Sequence, residues 1–329
     1  MARDVRLSLL DRSRTRADYP EGAALLHSVD RAAAAEALGY HRFWAAEHHA
    51  VPGVASGSPA VLLAAVGTHT SGIRLGSGGV MLPHHQPLVV AEQFLMLEAL
   101  YPGRIDLGVG RTLGFTEPVR RALRQQNDDV EQFSADITEL RSYLRQQAPV
   151  TARPASDTVP ELFLLATGQG VTTAARHGLP VVIGGPVLHS PELPEILAAY
   201  RRDFQAAPAG PQPSVIISLD AFIADTEAEA RELALPEAWA MARSRETGRF
   251  EALEPVEAIR SQKWSPRTRS RVEEHLQRVI AGPRAAVSSE LERLVELTGA
   301  EELLVSTATY DRDQQAELDT ELAELILPD

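Results

Sequence analysis

The stretch that decides the fold is IRLGSGGVMLPHHQPLVVAEQFLMLEALYPGRIDLGV, residues 73–109. Its first four residues, 73–76, predict a short buried strand. A helix is predicted over 87–100, because its first residue is a proline, which is favoured at the first helical position. The turn 101–103, with the sequence YPG, ends that helix, and the apolar run 104–109 predicts another strand. The stretch therefore predicts a strand–helix–strand unit.

The same alternation continues on both sides of this unit. Eight strands are predicted, at residues 5–10, 41–45, 73–76, 104–109, 162–166, 180–183, 214–223 and 302–306. Helices are predicted at residues 22–38, 59–68, 87–100, 170–177, 192–204 and 313–326, with a polar helical stretch that ends near Gln147. Such alternation predicts a parallel sheet covered by helices, and eight units predict closure into a single (β/α)8 TIM barrel of the α/β class.

The chain length alone leaves one domain or two open, since 329 residues exceed the usual size of one unit. The strand count favours one barrel domain over 1–329. Residues 226–283 are more than one helix needs between strands seven and eight, and we interpret them as an insertion. Long loops at this end of a barrel often cover active sites, so the insertion is either a lid or an ordinary helical segment with solvated charges.

Composition and charge narrow the possible functions. The chain has 45 acidic and 32 basic residues, so binding to nucleic acid or to an anionic membrane is not expected. It has no cysteine, which excludes disulfides, thiolate metal sites and iron–sulfur clusters. No run of 18 apolar residues and no signal-peptide pattern occur, so we expect a cytoplasmic protein.

Residues suited to catalysis follow strands two, three and four. Glu47, His48 and His49 follow strand two, residues 78–85 with two further histidines follow strand three, and Arg111 follows strand four. The carboxyl-terminal ends of barrel strands meet on one face, so these groups should converge.

Several kinds of site are disfavoured by the residue spacing. Glu47 and the histidines at 48, 49, 84 and 85 could supply metal ligands, but adjacent histidines on extended backbone point in opposite directions, so no metal is expected. The chain has no GxSxG motif and no P-loop, and residues 108–114, GVGRTLG, do not match GxGxxG. A nicotinamide cofactor would therefore need another kind of site.

Three blocks carry a resemblance to a known family. FWAAEHHAVPG at 43–53, TSGIRLGSGGVMLPHHQPLVVAEQ at 70–93 and LYPGRIDLGVGR at 100–111 resemble, in order and spacing, blocks of the bacterial luciferase-like flavin monooxygenases. GLPVV at 178–182 continues the pattern more weakly. The resemblance implies a TIM barrel that takes reduced FMN from a separate flavin reductase and uses O2, through a flavin C4a-hydroperoxide, to oxygenate a small organic substrate.

The resemblance also implies roles for single residues. His48 matches the family's catalytic histidine, with Glu47 and His49 positioning it or shaping the wall. Gly78 and Gly79 would lie against the flavin ring, at a position that in the family often has a non-proline cis peptide.

Further positions match residues that hold the cofactor in the family. Arg111, with Gly110, matches the arginine that reaches the FMN phosphate. Glu92 matches a glutamate near the flavin, although a solvated role on its helix is an equal alternative. The turn Thr167, Gly168, Gln169 and Gly170 should complete the phosphate site, but relatives commonly have a Ser/Thr-rich turn here, which leaves the identity of the cofactor open.

Two other functions stay open beside the monooxygenase. One is hydride transfer with the deazaflavin F420, which is used by enzymes that share this barrel. The other is a non-catalytic flavin-binding or partner subunit. For the monooxygenase, we expect hydroxylation or epoxidation of a secondary metabolite such as an aromatic polyketide, as in antibiotic biosynthesis. A homodimer through helix 59–68 is also expected by analogy with the family.

Overall fold

Eight parallel strands close into a barrel. The computed structural model describes residues 5–114, 116–125, 129–168, 170–206 and 210–327. The strands are β1 (Arg6–Asp11), β2 (Arg42–Ala45), β3 (Arg74–Met81), β4 (Ile105–Gly110), β5 (Glu161–Ala166), β6 (Val181–Gly184), β7 (Val215–Ile223), β8 (Ile280–Gly282) and β9 (Glu302–Ser306). Strands β1 to β7 pair in chain order, β9 pairs with both β7 and β1, and so the ring is complete. The protein is therefore a TIM barrel, as predicted.

Helices surround the barrel. They are α1 (Ala23–Ala37), α2 (Pro59–Gly67), α3 (Pro87–Leu100), α4 (Glu117–Ala122), α5 (Val130–Leu144), α6 (Gly170–His177), α7 (Leu193–Asp203), α8 (Glu227–Thr247), α9 (Val256–Ser261), α10 (Pro266–Leu276), α11 (Arg284–Thr298) and α12 (Arg312–Ile326). A large apolar core lies between these helices and the strands. None of the described helices has the length and apolar character needed to cross a bilayer.

The barrel interior is filled by large side chains. Trp44 of β2 and Phe163 of β5 pack edge to face there, with ring centroids 5.1 Å apart. Apolar residues of four more strands join this cluster, so the barrel encloses a packed core and not a channel.

Buried ion pairs lie where the strands begin. Arg42, the first residue of β2, contacts Asp106 at 2.7 Å and Glu302 at 3.0 Å, and all three are buried. Trp44 donates its indole N–H to Asp106 at 3.1 Å. These charges join β2, β4 and β9 at the amino-terminal end of the barrel, opposite the end where we expected the site.

The insertion after β7 has more structure than predicted. It contains α8, α9, α10 and the unpredicted strand β8, which pairs in parallel with residues 221–223 of β7 outside the barrel ring. Helix α8 begins with a capping box between Thr226 and Glu229, and ends at Gly248, which has a left-handed φ of 72°. Strand β8 has three residues, too few for a period-two pattern to be recognised in the sequence.

Candidate active site

A cavity of about 840 Å³ opens at the carboxyl-terminal end of the barrel. Its walls come from the segments that follow β1 to β7 and from the insertion. The volume lies within the roughly 300–1,000 Å³ that is usual for small-molecule sites. Of the residues predicted from the sequence, the cavity is lined by Glu47, His48, Gly78, Gly79, Gly110, Arg111, Thr167 and Gly170.

Glu47 lies at the centre of a cluster beside the cavity. Its Oε1 is 2.6 Å from Nε2 of His49 and 2.7 Å from Nε2 of His85, and its Oε2 accepts the backbone N–H of Met81 at 3.0 Å. Burial would raise the pKa of Glu47, but the hydrogen bonds from the two histidines outweigh this effect and lower the pKa to about 2. The ionised carboxylate thus ties the segment after β2 to the segment after β3.

The same three side chains bear on the question of a metal. Their ligand atoms lie within 4.8 Å of one another. Both imidazole nitrogens, however, are directed at one carboxylate oxygen at ordinary hydrogen-bond distance. The arrangement is that of a carboxylate holding two imidazoles, and the expectation of no metal here stays a prediction.

His48 lines the cavity at the end of the segment after β2. Burial lowers its pKa to about 4, and the positive charges of Arg12 and Arg14 act in the same direction. An unperturbed histidine has a pKa near 6.5, which makes both protonation states available at neutral pH. With its lowered pKa, the imidazole of His48 is neutral at neutral pH, so it can accept a proton but cannot donate one as an imidazolium.

Gly78 and Gly79 lie within β3, whereas the sequence pattern placed them after the third strand. They form a bulge in the pairing with β4, and the peptide bond between them is cis. A Cβ atom at Gly78 would lie 2.5 Å from Cδ1 of Leu10, and one at Gly79 would lie 2.8 Å from the carbonyl oxygen of Gly108. Glycine is required here because the barrel wall approaches both residues closely, while their backbone faces the cavity.

A polar wall forms where β4 and β5 end. Gly110 is the last residue of β4 and Arg111 follows it, while Thr167 precedes α6 and Thr173 lies in the first turn of that helix. In the turn that begins this helix, Gly170 donates its N–H to the carbonyl oxygen of Thr167 at 3.1 Å. Thr173 lines the cavity as well and adds a second hydroxyl group to this wall.

Three of the predicted residues that the structure describes do not line the cavity. His49 lies behind Glu47, and Gly168, with a φ of 52°, turns the chain without facing the cavity. Glu92 on α3 accepts the backbone N–H of Arg153 at 3.1 Å and is not brought to the cavity. Gln169 lies outside the described residues.

The comparison with known families agrees with this geometry. The family model described as luciferase-like monooxygenase matches residues 5–302. The chain belongs to the luciferase-like monooxygenase family.

Individual monooxygenases match two thirds or more of the chain. A protein named luciferase-like monooxygenase from Escherichia coli (strain K12) is 35% identical over 319 residues, 93% of this chain and 92% of that one. N-acetyl-S-alkylcysteine monooxygenase from Bacillus subtilis (strain 168) is 38% identical over 238 residues, 69% of this chain and 70% of its own.

Solved structures show the same fold. The crystal structure of apo-MsnO8 is 34% identical, covers 98% of both chains and has a TM-score of 0.88. An F420-dependent secondary alcohol dehydrogenase, 14% identical, has a TM-score of 0.72 and covers 99% of this chain and all of its own. At that identity the likeness shows the barrel fold alone.

This luciferase-like monooxygenase chain has a second charged cluster at the cavity, which sequence reasoning missed. Arg12 follows β1, and its Nη1 is 3.3 Å from Oδ1 of Asp220 on β7 and 3.4 Å from Oε1 of Glu237 on α8. The Nε of Arg14 donates to Glu237 at 2.7 Å. Burial would raise the pKa of Glu237, but the two arginines outweigh it and lower the pKa. The only signal in the sequence was the run of arginines at 12, 14 and 16 directly after a strand.

Proposed function

We propose that this chain is a flavin-dependent monooxygenase that takes reduced FMN from a separate flavin reductase and inserts one oxygen atom of O2 into a small organic substrate. The observation that carries the proposal is the cavity itself, which joins the neutral imidazole of His48 to the polar wall around Arg111. Family membership and the position at the carboxyl-terminal end of the barrel support it.

The residues around the cavity fit an FMN molecule. A Cβ atom at Gly110 would meet nothing closer than 4.0 Å, so the backbone here leaves room for a ligand. Arg111, Thr167 and Thr173 can hold the phosphate through a guanidinium fork and two hydroxyl groups. When bound, reduced FMN would supply the two electrons needed for the reaction with O2.

The protein's own groups supply the remaining requirements. His48 is neutral at pH 7 and can accept a proton from a group that is bound beside it. Glu47 fixes the segments that carry His48 and Met81. Met81, Leu165 and Met241 give the cavity apolar surface that excludes water from the reacting atoms.

A reconstitution experiment tests the proposal. The purified chain is incubated with NADH, FMN and a candidate thioether or aromatic substrate, with and without an added flavin reductase. We expect oxygenated product only when the reductase is present, and a loss of product in H48A. Oxidation of NADPH by this chain alone, or equal product formation by H48A, would contradict the proposal. Product that forms only after a partner subunit is added, and that forms equally with H48A in this complex, would instead favour the non-catalytic, flavin-binding role.

F420-dependent hydride transfer is the second candidate. It is favoured by the fold shared with the F420-dependent secondary alcohol dehydrogenase and by the turn 167–170, which departs from the usual Ser/Thr-rich pattern. Equilibrium titration of the chain with FMN and with F420 separates the two cofactors. We expect FMN to bind at least tenfold more tightly; tighter binding of F420 would replace the monooxygenase proposal.

We propose that the reaction is hydroxylation or epoxidation and that the substrate is a secondary metabolite such as an aromatic polyketide. The name of the Bacillus subtilis relative adds a thioether amino acid derivative as a second class of candidate. Both classes combine an apolar body with polar groups, as the cavity walls do.

A further inference from the structure

The insertion presents a row of basic side chains to the cavity. Arg271 and His275 are one turn apart on α10, and Arg278 lies one further turn along the chain. Arg245 of α8 lines the same wall. We call these four residues the arginine face. Arg245 and Arg278 are exposed at its rim, whereas the side chain of Arg271 is only 15% exposed.

Arg271 has hydrogen-bonding capacity that the described residues leave unused. Its Nη1 is buried and has no hydrogen-bond partner among them. The carboxylate of Glu246 is 4.0 Å away, beyond hydrogen-bond distance. Glu246 already accepts the hydroxyl of Thr268 at 2.7 Å and a guanidinium N–H of Arg243 at 2.9 Å. A buried donor of this kind calls for an acceptor from a ligand or from water.

His275 has the same feature one turn away. Its Nε2 is buried and likewise lacks a hydrogen-bond partner in the described part of the chain. In the tautomer that has its proton on Nε2, His275 is a second donor beside Arg271, and two donors suit the two oxygens of a carboxylate.

The acidic groups on the cavity wall are held by other residues. Asp220 and Glu237 are bound by Arg12, and Glu237 also by Arg14. Glu274 is exposed and accepts the hydroxyl of Ser270 at 3.2 Å.

The arginine face is also separate from the wall suited to the FMN phosphate. That wall follows β4 and β5, whereas the insertion follows β7, two strands further around the barrel. Met241 and Phe250 of the insertion add apolar surface to the same cavity.

We propose that the arginine face binds the carboxylate of the substrate, so that this enzyme acts on an apolar organic acid. The inference rests on the proposed function, because it names the substrate class of that site. The carboxylate accepts hydrogen bonds from Nη1 of Arg271 and Nε2 of His275, while Arg245 and Arg278 attract the anion at the rim. The apolar body of the acid then extends from the insertion into the barrel mouth.

Calorimetric titration with a matched pair of probes tests this proposal. (Benzylthio)acetate and its neutral isostere (benzylthio)acetamide are titrated into the full chain, with and without saturating oxidised FMN. We expect the acid to bind at least tenfold more tightly than the amide in both states. R271Q should bind the acid about tenfold more weakly than the wild type does, with unchanged affinities for the amide and for FMN. R267Q, an equal charge change at an exposed position of α10 outside the cavity, is the control.

Several results would overturn the proposal. The acid and the amide could bind with equal affinity, or the acid could fail to bind. R271Q and R267Q could lose the same affinity for the acid. Finally, the acid could displace FMN, which would place the carboxylate at the phosphate wall. If R271Q does not fold, R278Q at the rim provides the same comparison. Flavin fluorescence measures FMN binding in a separate experiment. If FMN does not bind, the proposed function is refuted, whereas the titration without FMN still measures the preference for the acid over the amide.

Discussion

The neutral state of His48 arises from residues far away in the sequence. Burial, together with the charges of Arg12 and Arg14, lowers its pKa to about 4. The local pattern at 46–49 was enough to identify the histidine and to place it after a strand. It could not give the pKa, because the arginines come from the segment after β1 and meet His48 only when the barrel closes.

This pKa predicts a dependence of stability on pH. The unfolded histidine titrates near 6.5 and the folded one near 4, so between these values the unfolded state binds a proton that the folded state does not. The contribution of His48 to stability is complete above pH 6.5 and is lost as the pH falls towards 4. Urea unfolding at pH 7.5, 6 and 5 should show a smaller decline in H48Q than in the wild type. H69Q, at an exposed histidine, should follow the wild type; parallel curves for H48Q would contradict the assignment.

At the scale of elements, one buried carboxylate fixes α8 to the barrel. Glu237 is 3% exposed and binds Arg14, which is itself buried. In E237A the guanidinium of Arg14 would lose its charged partner inside the protein, and we expect the free energy of unfolding to fall by about 3–5 kcal/mol. Glu232 lies on the same helix and has an exposed contact with Arg260 of α9, so E232A should cost less than about 1 kcal/mol. Guanidinium chloride unfolding compares the two, and equal losses would show that Glu237 does not fix the helix.

The glycines of β4 provide a second comparison at this scale. A Cβ atom at Gly108 would collide with the carbonyl oxygen of Ser77 on β3, whereas one at Gly110 has open space to 4.0 Å. G108A should therefore destabilise the protein by about 1–3 kcal/mol, because β3 and β4 must move apart. G110A should retain wild-type stability but bind FMN more weakly, which thermal unfolding and flavin fluorescence would measure. A stable G108A would contradict this account of the wall.

Sequence periodicity predicted the elements that have a strong pattern. Seven of the eight barrel strands and the proline-initiated helix α3 were placed close to their actual bounds. It missed β8, and it ended the third strand at Gly76, because glycines at 78 and 79 interrupt the apolar pattern while the strand continues to Met81. The requirement for glycine there comes from contacts with β1 and β4, which a single strand's sequence does not encode.

At the scale of the whole molecule, apolar side chains are exposed on neighbouring helices. Val61 of α2 is 72% exposed, and on α3 Met96 is 55% and Leu100 is 60% exposed. Exposed apolar side chains on neighbouring helices suit an interface between two copies of the chain, and on this ground we propose a homodimer through α2.

Sedimentation equilibrium tests the dimer. We expect the wild type to have twice the chain mass of 35.7 kDa at micromolar concentration, and M96E to sediment as a single chain. L297E changes an exposed leucine on α11 and should remain dimeric. A wild-type species of 35.7 kDa would contradict the proposal.

The attachment of the insertion limits how it can move. Near its start Glu237 binds Arg14, and near its end β8 pairs with residues 221–223 of β7. Between these two points, Leu253 donates its backbone N–H to the carbonyl oxygen of Thr15 at 2.9 Å. A segment that is fastened at all three points cannot swing outward about one hinge, so any motion that admits a ligand belongs to its middle part after Leu253, residues 254–279. Hydrogen–deuterium exchange should accordingly be fast for amides of that middle part and slow at the three attachments. A ligand that contacts both the middle part and the barrel would slow the exchange of these amides. Deuterium uptake would then measure the occupancy of the cavity without any turnover.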